Sequence, residues 1–304
     1  MSRIVRRLIF SFSALIGIVS FSFVLVHFVP GDPVDLILGE QASSVDQLEL
    51  RKQLGFDRPL WKQYLHYVTQ ALKFDLGQSI YDQQSVMVHV RNAFWPTLFL
   101  TLSSLFLSIL WGIPLGVLSV VYRNSFLDRL GSLVSVCGFS LPVFFSAPLL
   151  IWVFSIYWPI FPVSGQEGFI YYVLPSVSLA LPLGSALCQM SRSSLLEIIQ
   201  KDYIRTARAK GLRKRKIYFK HAFKPVLVPI ITILSLQFAA LLSGVIIVET
   251  IFDWPGLGLL LFQSISRRDY PVIQACVLVI AVIYLVVNVL ADFAYALVHP
   301  QMRD

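Results

Sequence analysis

The 304-residue sequence predicts an all-α integral membrane protein with six transmembrane helices. Three observations predict it. Hydrophobic residues make up 56% of the chain and charged residues only 14%, whereas soluble domains carry about 25% charged residues. Apolar runs recur along the chain, each long enough to cross the ~30 Å hydrocarbon core at ~1.5 Å per residue. The Lys and Arg residues behind the net charge of +8 fall between those runs, eleven of them within 191–225 alone. Basic residues gathered between apolar spans exclude nucleic-acid binding as the reason for the charge and mark a cytoplasmic membrane face.

The elements follow in order. Arg3, Arg6 and Arg7 precede an apolar run at 8–29. It is longer than a signal-peptide core and lacks a small-residue cleavage site, so it reads as an uncleaved anchor with its N-terminus inside. His27 near its outer end reads as an interfacial residue. Residues 30–95 form a polar region that opens on the turn Pro30-Gly31-Asp32-Pro33. Ser43 and Ser44 are candidate caps of a short helix ending near Leu54. A break at 55–59 follows, then an amphipathic helix at 61–74, whose Trp61, Tyr64 and Tyr67 suit a headgroup interface. Either this region packs as a lid on the helices, or it meets a soluble partner outside the membrane.

The second span is predicted at 97–121, kinked at Pro114, and the third at 133–157, with Pro142 and Pro148 inside it. The fourth, 169–190, is the least hydrophobic. It carries Pro175, Pro182, Gly184, Ser176, Ser178, Ser185 and Gln189, with Ser191 at its edge. Small and polar residues in a membrane helix face protein or a water-filled path. Ser178 and Gln189 are therefore path candidates, with tight helix packing as the competing reading. The fifth span is predicted at 226–248, an outer segment with a short interfacial helix at 257–264 follows, and the sixth runs at 272–298. Asn288 and Asp292 lie four apart on that last helix, on one face. An intramembrane carboxylate is a functional candidate by default; a structural pairing of Asp292 near the interface is the competing reading. Cys137, Cys188 and Cys276 sit in apolar runs without metal or redox spacing and read as small packing residues.

With the N-terminus inside, seventeen Lys and Arg fall on the inner side and eight outside. Six spans with both termini cytoplasmic satisfy the positive-inside rule, and 191–225 decides it. Within that loop Tyr203, Ala207 and Gly211 recur at helical spacing. A face bulky at one end and nearly bare elsewhere lets a second backbone approach, so a helix at 201–212 reads as a docking surface flanked by Arg208 and Lys210. The alternative is a polybasic segment on anionic lipid.

At these residues the sequence resembles a known family. ARAKGL, followed by HAFKPVLVP, is similar to the cytoplasmic signature of binding-protein-dependent ABC importer permeases, in the dipeptide, oligopeptide and nickel branch (the B-type peptide permeases). Arg205, Thr206 and Ala207 stand where the general signature has an acidic residue and two alanines, a departure that fits the peptide branch. Pro225 stands where that branch often has Asn. PGDP, LGFDRPLWKQYLHY and DLGQSI resemble the branch's extracytoplasmic loop, and WPGLG with RDYP resembles its pattern further on.

The resemblance implies a type I ABC importer permease fold: an anchor at 1–29, an extracytoplasmic loop region at 30–95, a transmembrane type-1 domain at 96–298 holding the coupling loop 191–225, and a cytoplasmic tail at 299–304. It implies ATPase coupling through Asp202, Tyr203, Thr206, Ala207, Arg208, Ala209, Lys210 and Gly211. The implied partners are a second related permease subunit, two ABC ATPase subunits, an extracytoplasmic substrate-binding protein and membrane lipid, in the inner membrane. No cofactor is expected on this chain; ATP and Mg would sit on the ATPases. That division agrees with the residues: no Gly is followed by Lys, so no phosphate loop is present, and no zinc-protease helix or serine elbow occurs. The expected role is a translocation path for di- or oligopeptides, with nickel or glutathione as alternative solutes and an ion-coupled secondary transporter as a different class.

Overall fold

A computed structural model describes residues 13, 15–24, 34, 38, 44–73, 75–165, 167–213 and 216–298 of the chain. The expectations for the rest of 8–29, for the Pro30–Pro33 turn and for the 299–304 tail lie outside the described residues. The elements are α1 (Leu15–Val24), α2 (Ser44–Leu54), α3 (Leu60–Leu72), α4 (Val86–Val121), α5 (Phe126–Ser140), α6 (Val143–Ile151), α7 (Phe169–Ile198), α8 (Asp202–Ala209), α9 (Phe223–Ile251), α10 (Leu257–Ser266) and α11 (Tyr270–Val298). Two π-helical turns, Trp152–Tyr157 and Ile217–Ala222, follow α6 and precede α9. Among the described residues α4, α7 and the described part of α11 are each long and apolar enough to cross a membrane.

The expected single span at 133–157 is a broken pair. Phe126–Ser140 and Val143–Tyr157 are bent by 103°. The cause is local: Leu141 is extended at φ −85°, ψ 114°, as the residue before a proline prefers, and Pro142 opens the next helix. In the opposite direction, α4 starts eleven residues earlier than the expected 97. Its first turns carry Val86, Val90 and Ala93, which are buried at helical spacing. Likewise α7 runs on from 190 to Ile198, because Ser191 and Leu195 remain buried.

The chain divides into two compact units, Met1–Thr97 with Pro255–Leu285 and Leu98–Trp254 with Val286–Asp304. In the first unit, Val86, Val90 and Ala93 pack with Leu257 of α10 and with Val272, Ala275 and Cys276 of α11. Polar pins hold the turns around this core. The Thr97 hydroxyl accepts the Leu257 N–H at 2.8 Å, satisfying an orphan donor at the start of α10. Buried Asp269 accepts the Ser79 hydroxyl at 2.5 Å and the Ile80 N–H at 3.1 Å. That carboxylate fixes the 77–86 turn, which the sequence shows only as a break. Nearby, slight burial pushes the Asp82 carboxyl up, but hydrogen bonds from the Gln84 N–H, Ser79 and His89 outweigh it and hold it below the usual range.

In the second unit two apolar clusters share α7. Leu174, Leu179 and Leu183 pack with Leu241, Val245, Val248, Phe252 and Trp254. Further along, Leu187 and Leu195 pack with Val117, Val120, Val226 and Ile230. Glycines bring backbones together between them. A Cβ on Gly112 of α4 would collide with the Gly184 carbonyl of α7, and one on Gly116 would lie 2.5 Å from the Cys188 carbonyl oxygen. Small residues one turn apart are how membrane helices approach closely. Of the cysteines, Cys188 and Cys276 are buried as packing residues, whereas Cys137 is exposed on α5.

Candidate functional site

The site is α8 and its ends. Asp202 in the first turn and Arg208 in the last complement the helix dipole. Ile204 is fully buried and Ala207 nearly so, both in the cluster that α7 and α9 complete. Burying an isoleucine side chain contributes roughly 1.5–3 kcal/mol, enough to root a two-turn helix that would not stand alone. The small Ala207 side chain lets α8 lie close to that cluster. Asp202, Tyr203, Arg205, Thr206, Arg208, Ala209 and Lys210 are all exposed, Tyr203 to 48%. The Thr206 hydroxyl donates to the Asp202 carbonyl at 3.1 Å. Ion pairs Lys201–Glu197 at 3.0 Å and Arg205–Asp202 at 3.6 Å lie on the surface, where such pairs contribute little.

Gly211 ends the helix. Its φ is +74°, in the left-handed region. The Gly211 N–H donates to the Arg208 carbonyl at 2.9 Å and the Leu212 N–H to the Ala207 carbonyl at 3.3 Å. This is the Schellman pattern, completed by apolar contact of Leu212 with the cluster that holds Ala207. The same pattern closes α2, where the Gly55 N–H reaches Lys52 and the Phe56 N–H reaches Arg51. The stripe expected from Tyr203, Ala207 and Gly211 is thus not one exposed face. Tyr203 points outward, Ala207 inward, and Gly211 lies past the last turn. Spacing alone showed the helical period but not which side was buried. The expected helix at 201–212 is shorter, 202–209, for the same reason. The π-turn Ile217–Ala222 then buries Ile217 and Ala222 beside α8.

Of the path candidates, Ser178 is buried and donates to the Pro175 carbonyl at 2.7 Å. Gln189 and Asn288 are exposed on α7 and α11. Asp292 lies on α11, but its side chain is outside the described part. Ser178 and Gln189 thus differ in surroundings, one buried and one exposed, although both lie on α7.

One buried pairing escaped the sequence. Arg192 donates from Nε and Nη2 to Asp128 Oδ1 at 3.1 and 3.0 Å, and the Asn124 N–H donates to Asp128 Oδ2 at 3.1 Å. Asp128 is buried on α5 and Arg192 lies on α7 one turn before Leu195, so the pair ties the broken helix to the cluster that roots α8. The available signal was an acid in the first turn after Asn124-Ser125; its partner, 64 residues on, could not be read from spacing.

Comparison with known proteins agrees with this architecture. Residues 112–304 match the family described as binding-protein-dependent transport system inner membrane component. Residues 1–101 match the N-terminal part of a binding-protein-dependent transport system membrane component. The chain is 38% identical over 300 residues to the glutathione transport system permease protein GsiC of Salmonella typhimurium, covering 99% of this chain and 98% of that one. The GsiC protein of Escherichia coli K12 is 37% identical with the same coverage, and that of Pectobacterium atrosepticum 38% over 299 residues, 98% of each. Among solved structures, an inward-facing form of the MetNI methionine ABC transporter aligns with a TM-score of 0.59 at 20% identity, over 70% of this chain and 97% of that one, a likeness of fold. The chain therefore belongs to the binding-protein-dependent ABC transporter permeases, membrane-embedded transport subunits without a reaction of their own, which work with ATPase subunits and a substrate-binding protein.

Proposed function

We propose that this chain forms half of the translocation path of an ATP-driven importer for small peptides, with glutathione, the solute in the names of its GsiC relatives, as the first solute to test. It pairs with a second related permease subunit and two ATPases, which carry ATP and Mg. On this reading the chain has six spans with both termini in the cytoplasm, the arrangement the positive-inside distribution favours. The observation that carries the reading is α8: a short helix rooted by Ile204 and Ala207, closed by Gly211, with Tyr203 exposed between basic side chains. Tyr203, Thr206, Arg208, Ala209 and Lys210, with Asp202 at the start, meet the ATPase; Ala207 and Gly211 hold the helix in shape from behind. ATP-driven closure of the ATPases moves α8, and the cluster beneath it carries that movement into α7 and α9. Gln189 and Asn288, exposed on α7 and α11, are the residues we assign to the path, while Ser178 contributes to it through packing.

Reconstitution into proteoliposomes with the ATPases and binding protein tests this. ATP-dependent uptake of labelled glutathione or a dipeptide is expected. Omitting the ATPases, or introducing Gly211→Trp, should abolish it while membrane insertion persists. A solute gradient built by the chain alone would favour the ion-coupled reading.

A further inference from the structure

Helix α3 has three sides. Tyr64, Tyr67 and Ala71 recur at helical spacing and are half-buried. The Tyr64 hydroxyl shares a hydrogen bond with Ser20 at 2.7 Å and the Tyr67 hydroxyl one with Ser22 at 3.2 Å. Both rings contact Phe23, with centroids 5.4 and 6.1 Å away. This side therefore lies along α1. A second side, Lys62, His66, Thr69 and Gln70, is polar; His66 and Gln70 line a cavity of about 360 Å³. The third side lies between them: Trp61, Leu65, Val68 and Leu72, spaced i, i+4, i+7 and i+11. On it Trp61, Leu65 and Leu72 are 60%, 51% and 74% exposed.

The hydrogen bonds fix where that apolar side is. Ser20 and Ser22 belong to the apolar run 8–29, several residues from its end. A helix bonded to them is not in bulk water above the membrane; it lies beside a segment that is itself in the bilayer. Beside it α1 exposes apolar Ile16, Phe21 and Val24; the polar side of α3 faces the cavity and solvent, and Lys62 and Lys73 stand at its two ends, where long cationic side chains reach headgroups.

We propose that α3 is an interfacial helix embedded in the headgroup and upper acyl region of one leaflet, with lipid covering Trp61, Leu65, Val68 and Leu72. The region 30–95 is then neither simply a lid nor wholly a soluble-partner surface: one of its helices is a lateral anchor that bonds α1 to the leaflet. The proposal rests on 8–29 lying in the bilayer, not on which leaflet is involved or which solute is carried.

The test uses the assembled transporter in lipid nanodiscs, with the exposed Cys137 replaced by Ser. Leu65→Cys, Leu72→Cys and, as the polar-side control, Thr69→Cys are each labelled with an environment-sensitive fluorophore. The expected result is blue-shifted emission at Leu65 and Leu72, quenched by lipids spin-labelled near the glycerol and little by iodide, with the reverse at Thr69. Introducing Trp61→Glu should move the Leu72 probe toward the aqueous pattern. Iodide quenching at Leu65 and Leu72 equal to that at Thr69 would overturn the proposal, as would shielding of both positions from lipid and iodide alike, the pattern of a protein-covered face.

Discussion

Gly211 shows how a residue identified for one reason acts for another. Bareness was the feature legible in the sequence; backbone handedness is the feature the structure uses. Nothing lies within 4 Å of a Cβ built there, so volume inside the chain is not limiting, and φ +74° is. A β-branched residue in the left-handed region costs roughly 1–2 kcal/mol, whereas Asn enters it readily. Gly211→Asn should therefore keep most of the transport rate and Gly211→Val lose most of it, measured as uptake at equal membrane abundance. Equal rates would show that the Schellman end is not needed. Arg192 makes a second case. Removing it leaves the buried Asp128 carboxylate with the Asn124 N–H and the more distant charge of Arg123. Loss of about 2 kcal/mol is expected for Arg192→Leu, because the buried carboxylate loses its two charge-assisted hydrogen bonds while keeping its desolvation cost. In a thermal melt of the purified transporter, Asp128→Asn combined with Arg192→Leu should recover part of that loss.

At the scale of elements, helix existence was legible and helix ends were not. Apolar periodicity located α4, α7 and α11, since a bilayer-length apolar run has few alternatives. Their ends were set by burial against other segments: Val86 and Val90 extend α4, and Leu195 extends α7. Pro142 was visible in the sequence, but whether a proline kinks a span or breaks it into a 103° pair depends on what packs around the freed backbone. The contact of α4 with α7 is where helix packing is most constrained. Gly112→Leu should separate them, destabilising by about 1–3 kcal/mol through overpacking, with a lower melting temperature and lower uptake. Leu110→Ala on the same helix, at an exposed position, is the control and should change little.

For the whole molecule, charge distribution supplies topology and the family supplies the machine. On the proposed topology the eleven basic residues at 191–225 would put α8 on the inner side and the 44–73 region on the outer. A membrane-impermeant maleimide should label Thr69→Cys in intact cells and Arg208→Cys only after permeabilisation; the opposite pattern would invert the topology. The helix proposed to meet the ATPase was legible as a place, since ARAKGL has the composition of a short capped helix in a basic loop. Its contact surface was not, because burial of Ala207 is decided by Leu187, Leu195 and Val226, far away in sequence.

The sequence by itself determined that this is a helical membrane protein and where its basic loop lies, with motifs that resemble those of ABC importer permeases. These follow from composition and local motifs, and a bilayer allows little else for such a pattern. Only the tertiary structure decided which side of each short helix is buried, that 133–157 is broken, and that Asp128 finds Arg192. Those depend on contacts between distant segments, and a hydrophobic period gives the spacing of a face without naming what covers it.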